Sequence, residues 1–408
     1  MITMGSHTEL GSADLRIALI SDLHAYDTLP EKESPPSRLW VGDPENLPEK
    51  NPFAGLSVLA AKDQDVKAQC LLCLGDIGDK AQPGAIKYAW ERLNRLKALL
   101  HADHLLATSG NHDCDSRHES ANFDAKGFLQ SLDPPYPFPD EARNDRYWAR
   151  HFAVLEEAEY RVVCLNSSAY HGNSPQEIDY GRVSDATLSR LKSYLQHSVA
   201  KRINILICHH HPQPHSEIGL GERDTMKSGQ LLLDLLAGDD SGHWIVIHGH
   251  KHHPKITYAS SPTGSGAPLV ISVGSFAAKL YAELASRARN QFHILAFRFD
   301  DFKKLGPVGR IYSWDWSDGI GWIPAGPQSG LPSECGFGVK TDPAVLASRV
   351  DALLTEDRMP WQEFTQSCRD VLYLLPKDLA KLKAALSRTF GIVVSLDDAG
   401  PTEIGRKS

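Results

Sequence analysis

The stretch Ile245-Val246-Ile247-His248-Gly249-His250-Lys251-His252-His253-Pro254 runs from a β-branched strand straight into a knot of histidines. Four other stretches share that form. Asp22-Leu23-His24 follows Ile17-Ala18-Leu19-Ile20, and Gly75-Asp76 follows Leu71-Leu72-Cys73-Leu74. Gly110-Asn111-His112-Asp113 follows His104-Leu105-Leu106-Ala107, and His209-His210-His211-Pro212 follows Ile203-Asn204-Ile205-Leu206-Ile207. Apolar strands that each release polar, metal-competent side chains at the carboxyl end describe one site at one edge of a sheet, where open α/β sheets place their ligands. A single Asp-x-His or His-x-His pair says little. Their recurrence in one chain is the signal.

Taken in order, Asp-x-His, Gly-Asp, Gly-Asn-His-Asp, a His-rich strand end and Gly-His-x-His resemble the calcineurin-like binuclear metallophosphoesterases over about residues 14 to 300. The layout is most similar to the branch of bacterial cyclic-nucleotide and glycerophosphodiester phosphodiesterases. That resemblance implies an α/β fold, a four-layer α-β-β-α sandwich of two mixed β-sheets flanked by helices. It implies a pair of divalent metal ions bridged by Asp76, the first held by Asp22, His24 and His252 and the second by Asn111, His209 and His250. His210 is the alternative to His209, and His248 with His250 is the alternative register for the last pair. Carboxylate, imidazole and amide donors without thiolate suit Mn, Fe, Zn or Co.

The implied reaction is phosphodiester hydrolysis by a hydroxide bridging two divalent metals, with His112 assisting the leaving group. In a carboxylate-rich site the imidazolium form of His112 is favoured. Phosphomonoesterase and nuclease activities are alternatives on the same site. A metal-free scaffold of this fold is the contrasting class, but every expected ligand is present. The expected partner is a small phosphoester substrate. Lys80, Arg117, Arg223 and Lys251 are the cations that, near the metals, would favour a monoester.

Composition sets limits on these readings. The chain has 408 residues, 41% hydrophobic and 23% charged, as in ordinary soluble globular proteins. Its net charge of −8 gives no global positive field for nucleic acid. No run is long and apolar enough to span a bilayer, and residues 1–15 lack the apolar core of a signal peptide, so a cytoplasmic location is expected. The seven cysteines read as reduced thiols, several of them inside apolar runs. Cys70-x-x-Cys73 would leave opposite pleats of one strand, which argues against half a zinc site.

The order of elements suggests a disordered leader at 1–14, a catalytic domain at 15–324, a linker at 325–340 and a helical appendage at 341–408. The polar segment Thr28 to Pro52 reads as a lip over the site, and Cys114 to Arg146 as a second irregular rim. Trp314, Trp316 and Trp322 read as packing residues. The appendage is expected to hold helices at Pro343–Leu354, Trp361–Leu375 and Lys377–Phe390, for partner binding or self-association. Of the other histidines, His248 and His253 are expected to hold ligands by hydrogen bonds, and His211 and His215 to face substrate. His101, His104, His118 and His293 are expected to be surface or structural. Asp79 and Asp113 are expected to orient ligands or loops.

Overall fold

The computed structural model describes residues 10, 12–29, 33–43, 47–117, 123–173, 177, 178, 180–214, 225–238, 242–260, 266–327, 329–397 and 400–407. Strands β1 (Leu15–Ile20), β2 (Cys70–Cys73) and β3 (His104–Ala107) lie side by side and parallel. A second sheet follows, from β4 (Phe152–Glu156), β5 (Tyr160–Leu165), β6 (Ile203–Ile207), β7 (Trp244–His248), β8 (Lys255–Tyr258) and β9 (Leu269–Ser272), in the order β4-β5-β6-β7-β9-β8. The chain then returns to the first sheet with β10 (Gln291–Phe297), β11 (Gly309–Ser317), β12 (Gly321–Pro324) and β13 (Glu334–Phe337). That sheet reads β12-β11-β10-β1-β2-β3, with β13 also paired to β11.

Side-chain alternation makes the layers. Ile17, Leu19, Leu72 and Leu106 meet Val162, Ile205, Ile207, Ile247 and Ile271 between the two sheets. Ala18, Ile20, Leu71 and Leu105 face the other way, onto helices Pro52–Lys62 and Pro83–Leu99 through Leu56, Ile86 and Leu93. On the far side, Val163, Leu206 and Val246 face helices Asp185–His197 and Gly229–Leu236. Strands covered on both faces need continuous apolar runs, which is why β1, β2, β6 and β7 have them. Each such buried side chain contributes about 2 kcal/mol. The four-layer sandwich is therefore present. Cys70 and Cys73 do leave opposite faces, all seven cysteines are free and buried, and the three tryptophans pack in the core.

Several expectations need correction. Leu10 is buried and the Asp14 N–H donates to the Phe297 carbonyl at 2.9 Å, so the end of the leader is packed; residues 1–9 lie outside the described residues. The Cys114 to Arg146 rim contains two helices, Ala125–Gln130 and Glu141–Arg150, opened by Asp124 and Asp140, whose carboxylates accept N–H groups of their first turns. The stretch 325–340 is not all linker, because β13 lies in it and pairs with β11.

The C-terminal appendage is not purely helical. Helices Pro343–Leu353, Trp361–Ser367 and Pro376–Ala385 alternate with β14 (Arg358–Pro360), β15 (Ile392–Asp397) and β16 (Gly400–Arg406), a sheet in the order β14-β16-β15. Helix, strand, two helices and a hairpin is the order of a winged helix. This unit has its own core of Leu346, Val350, Phe364, Leu382, Ile392 and Ile404.

It is fastened to the sandwich at Asp301. That buried carboxylate accepts from Arg369 Nη2 and Tyr373 Oη, each at 2.6 Å. Burial works to raise the Asp301 pKa, but the hydrogen bonds from Arg369 and Tyr373 outweigh it and the net shift is downward. A depressed carboxylate stabilises the fold above its unfolded pKa of about 3.9 and loses that contribution as pH falls through the folded value. Asp301→Asn is expected to cost about 2 kcal/mol at neutral pH, the difference shrinking as acid protonates the parent's carboxyl. Urea unfolding of parent and variant across pH 3–7 checks this, and equal stability at pH 7 would refute it.

Candidate metal centre

Because β1, β2 and β3 are parallel, as are β6 and β7, their carboxyl ends open on a shared edge of the two sheets. The chain turns sharply there. Asp22 (φ 52°), His24 (47°), Asp76 (50°), His250 (73°) and His252 (53°) all occupy the left-handed region. Each such residue costs on the order of 1–3 kcal/mol, and clusters of them mark functional sites. Two glycines permit the approach of the loops. A Cβ on Gly249 would lie 2.0 Å from Ser21 Oγ, and one on Gly110 2.0 Å from Asp76 Oδ1. The Asp113 carboxylate accepts N–H groups from Asp76, Ile77, Gly78 and Gly110 at 2.8–3.1 Å, tying the ends of β2 and β3 together. Burial and the charge on Asp76 push Asp113 up to about 7.

The structure brings all seven expected ligands into this space. His252 Nε2 lies 3.3 Å from Asp22 Oδ1 and 3.1 Å from His24 Nε2. On the other side, His209 Nε2 and His250 Nδ1 each lie 3.2 Å from Asn111 Oδ1. Between them, Asp76 Oδ2 is 3.5 Å from His24 Nε2 and 3.1 Å from His209 Nε2. Asp22, His24, Asp76, Asn111 and His209 are buried. His209 Nδ1 donates to the Leu74 carbonyl at 2.8 Å, which turns Nε2 toward the cluster.

Charge shows what the space lacks. Burial works to raise Asp22 and Asp76, yet His252 and His24 hold Asp22 low, and His209 and His112 hold Asp76 low. The counterpart is on the histidines. Burial opposes charging of His24, but hydrogen bonds to Asp22 and Asp79 carry it up to about 10. Asp76 likewise carries His209 up to about 9 against its burial. Ionised, buried carboxylates facing imidazole nitrogens call for cations, from protons or from metal. The donor set fits divalent ions.

His112 stands beside this cluster, its backbone N–H donating to Asp76 Oδ1 at 2.8 Å and its ring Nδ1 2.9 Å from Asp79 Oδ1. The imidazolium expected there needs correction: burial lowers its pKa, and the neighbouring His24 adds to that against the pull of Asp76. His210 also reaches the cluster, so the structure brings together both histidines that the sequence offered as alternatives. His211 is buried and stacks on His250 at 5.8 Å, so it does not face an open substrate space. His248 is buried with its Nδ1 3.0 Å from the Gly249 carbonyl, and His293 bonds Ser313 and Val273. His118, His215 and Arg223 lie outside the described residues. Sequence reasoning missed Ser167 and His171, which follow β5. That strand too ends in a polar run, Asn166-Ser167-Ser168, a signal of the same kind as the others.

Gly249→Ala is expected to displace Asp22 and weaken the binding of one divalent ion about 10- to 100-fold. Calorimetric titration of the metal-stripped variant with Mn or Zn measures it, and parent-like affinity would refute the steric argument.

Known proteins bear on the same residues. The family model described as Calcineurin-like phosphoesterase matches residues 15–254, and the one described as wHTH-Calcineurin_assc matches residues 335–388. No curated protein matches the chain. Similar solved structures include purple acid phosphatase PPD1 from yellow lupin (Lupinus luteus) seeds, 13% identical, with a TM-score of 0.45 over 79% of this chain and 53% of that one. PhoD is 8% identical, with a TM-score of 0.47 over 79% of this chain and 69% of that one. Phosphopantetheinyl Hydrolase (PptH) from Mycobacterium tuberculosis is 13% identical, with a TM-score of 0.32 over 65% and 91%. This chain thus spans about half the length of the lupin phosphatase. With more than half of its residues matched by the family model, over the span that holds every strand end of the cluster, the chain belongs to the calcineurin-like phosphoesterases.

Proposed function

We propose that this metal-dependent phosphoester hydrolase cleaves phosphodiesters, a small cyclic nucleotide or glycerophosphodiester being the kind of substrate it takes. The observation that carries the reading is the buried set at the shared sheet edge, with Asp76 Oδ2 within 3.5 Å of both His24 and His209. In this reading Asp22, His24 and His252 would hold one divalent ion and Asn111, His209 and His250 the other, with Asp76 shared between them. Mn, Fe, Zn and Co suit these donors. Such an ion pair supplies an acidified water as nucleophile and neutralises the phosphate oxygens.

The chain's own residues do the rest. Asp79 holds the Nδ1 side of His112, and Nε2 would give a proton to the leaving oxygen from the protonated ring, a form that burial and His24 oppose and that Asp76 and Asp79 favour. Lys80 is neutralised by Glu33 at 3.2 Å. Among the described residues Arg117 is the cation left in the hollow it shares with Asn111 and His112. Asp115 lines the same hollow and offsets part of that charge, which suits the single charge of a diester better than the two of a monoester. Lys251, buried and next to His250, is the observation that favours a phosphomonoesterase instead.

No helix among the described residues is long and apolar enough to cross a membrane. We place the protein in the cytoplasm, a location that its seven free, buried cysteines support. For partners we propose self-association through β15, an edge strand with Val393 and Leu396 exposed. Leu396→Lys is then expected to sediment as a monomer where the parent sediments as a dimer; identical sedimentation of the two would count against this.

Hydrolysis of bis(p-nitrophenyl) phosphate beside p-nitrophenyl phosphate, by stripped protein with each metal restored in turn, tests the main reading. Faster diester cleavage that disappears in Asp76→Ala is expected. His112→Ala should keep both ions and lose about 10²- to 10⁴-fold in kcat. Faster monoester cleavage would move the substrate class, and normal turnover by His112→Ala would remove that residue from the reaction.

A further inference from the structure

His210 is absent from the ligand set given above, yet it is the most tightly held imidazole near it. Its ring is fully buried. His171 stacks on it with centroids 5.0 Å apart and planes 6° from parallel. Gly181 packs against it so closely that a Cβ there would lie 2.4 Å from His210 Cγ. Ser167 Oγ takes the Nδ1 side of the ring at 2.9 Å. The remaining nitrogen, Nε2, is buried and has no hydrogen-bond partner. Leaving such a group unsatisfied costs about 1–3 kcal/mol, so a ring fixed on every other side implies that something binds the last.

The neighbours show what that is. One ring nitrogen from each of His209, His210 and His250 lies within 4.8 Å of the others. The His210 centroid is 4.9 Å from that of His209 and 4.7 Å from that of His250. His250 turns its Nδ1 toward the same place, 3.2 Å from Asn111 Oδ1. Imidazoles gathered this closely, with one ring nitrogen tied to a hydroxyl, form the usual frame of a metal-bound histidine.

We propose that His210 is a third imidazole ligand of the second cation, beside His209 and His250. This rests on the binuclear reading given above and makes its two positions chemically unlike. The first offers two imidazoles and the Asp22 carboxylate in addition to Asp76; the second offers three imidazoles and the Asn111 amide. Imidazole suits late first-row ions, which nitrogen donors bind in the order Mn < Fe < Co. The second position therefore fills first, and with Co or Zn in preference to Mn.

The test is calorimetric titration of the metal-stripped full chain with Zn and with Co, alongside the visible absorption of bound Co. The parent is expected to take up two ions in two unequal steps. In His210→Ala the tighter step should weaken by about 100-fold and the Co spectrum of that step change, the weaker step staying within about 3-fold. Two parent-like steps in His210→Ala, with any change confined to KM, would overturn the proposal and make His210 a substrate contact. Uptake of only one ion by the parent would overturn the binuclear reading and this proposal with it. Should His210→Ala fail to fold, His210→Gln decides, since it fills the space and leaves Ser167 with the N–H groups of residues 209 and 210: about tenfold or greater loss in the tighter step supports the assignment, and an unchanged step overturns it.

Discussion

Four backbone N–H groups, those of Asp76, Ile77, Gly78 and Gly110, donate to one buried carboxylate, that of Asp113. The other features of the site depend on this convergence. It brings the end of β2 against the end of β3, places Gly110 where only a hydrogen fits beside Asp76, and turns Asp76 into the left-handed region. From that position Asp76 can face both sheets at once. Without the clamp, β2 and β3 would still pair, since their ladder is independent of the loops. Their polar ends would have no reason to meet His209 across the sandwich.

The site is built from groups that repel being where they are. Carboxylates of Asp22, Asp76 and Asp79 are buried, and five non-glycine residues are held at positive φ. The sandwich supplies the compensation. Between the sheets, the apolar side chains of β1, β2, β6 and β7 fix the strand ends to within side-chain packing distances. A rigid frame of this kind lets a site keep strain and uncompensated charge until a ligand relieves them. The free chain relieves them in part with protons on His24 and His209, so metal uptake displaces protons and is coupled to pH.

How much of this was legible in the sequence follows from how local each signal is. The strand ends were readable because an apolar run followed by Asp, Asn, Gly or His is contiguous. His209 and His210 are alternatives in the sequence because the resemblance asks for one histidine just after the strand; beyond the end of β6 the chain is no longer extended, and both rings reach the cluster. Ser167, His171 and Gly181 act on His210 only across space, so no spacing rule finds them. The helices at Ala125–Gln130 and Glu141–Arg150 did carry a local signal, their Asp caps, but proline and aspartate around them read as loop. In the C-terminal unit, Ile392-Val393-Val394 is a plain β-branched run. It was hidden behind the strong helical pattern just before it.

The edge of the first sheet joins the two parts of the molecule. β11 carries both β12 and β13 on its outer side, and from the end of β13 at Phe337 only a few residues lead to the helix that begins at Pro343. A force applied to the C-terminal unit therefore meets two attachments, the β13 to β11 ladder and the Asp301 carboxylate that holds Arg369 and Tyr373. Along the ladder, tension crosses β11 and β10 before it reaches β1 and the Asp22 that follows it. Neither attachment is made at a strand end that carries the cluster, so a load borne by the winged unit has packed sheet to cross before it bears on the site.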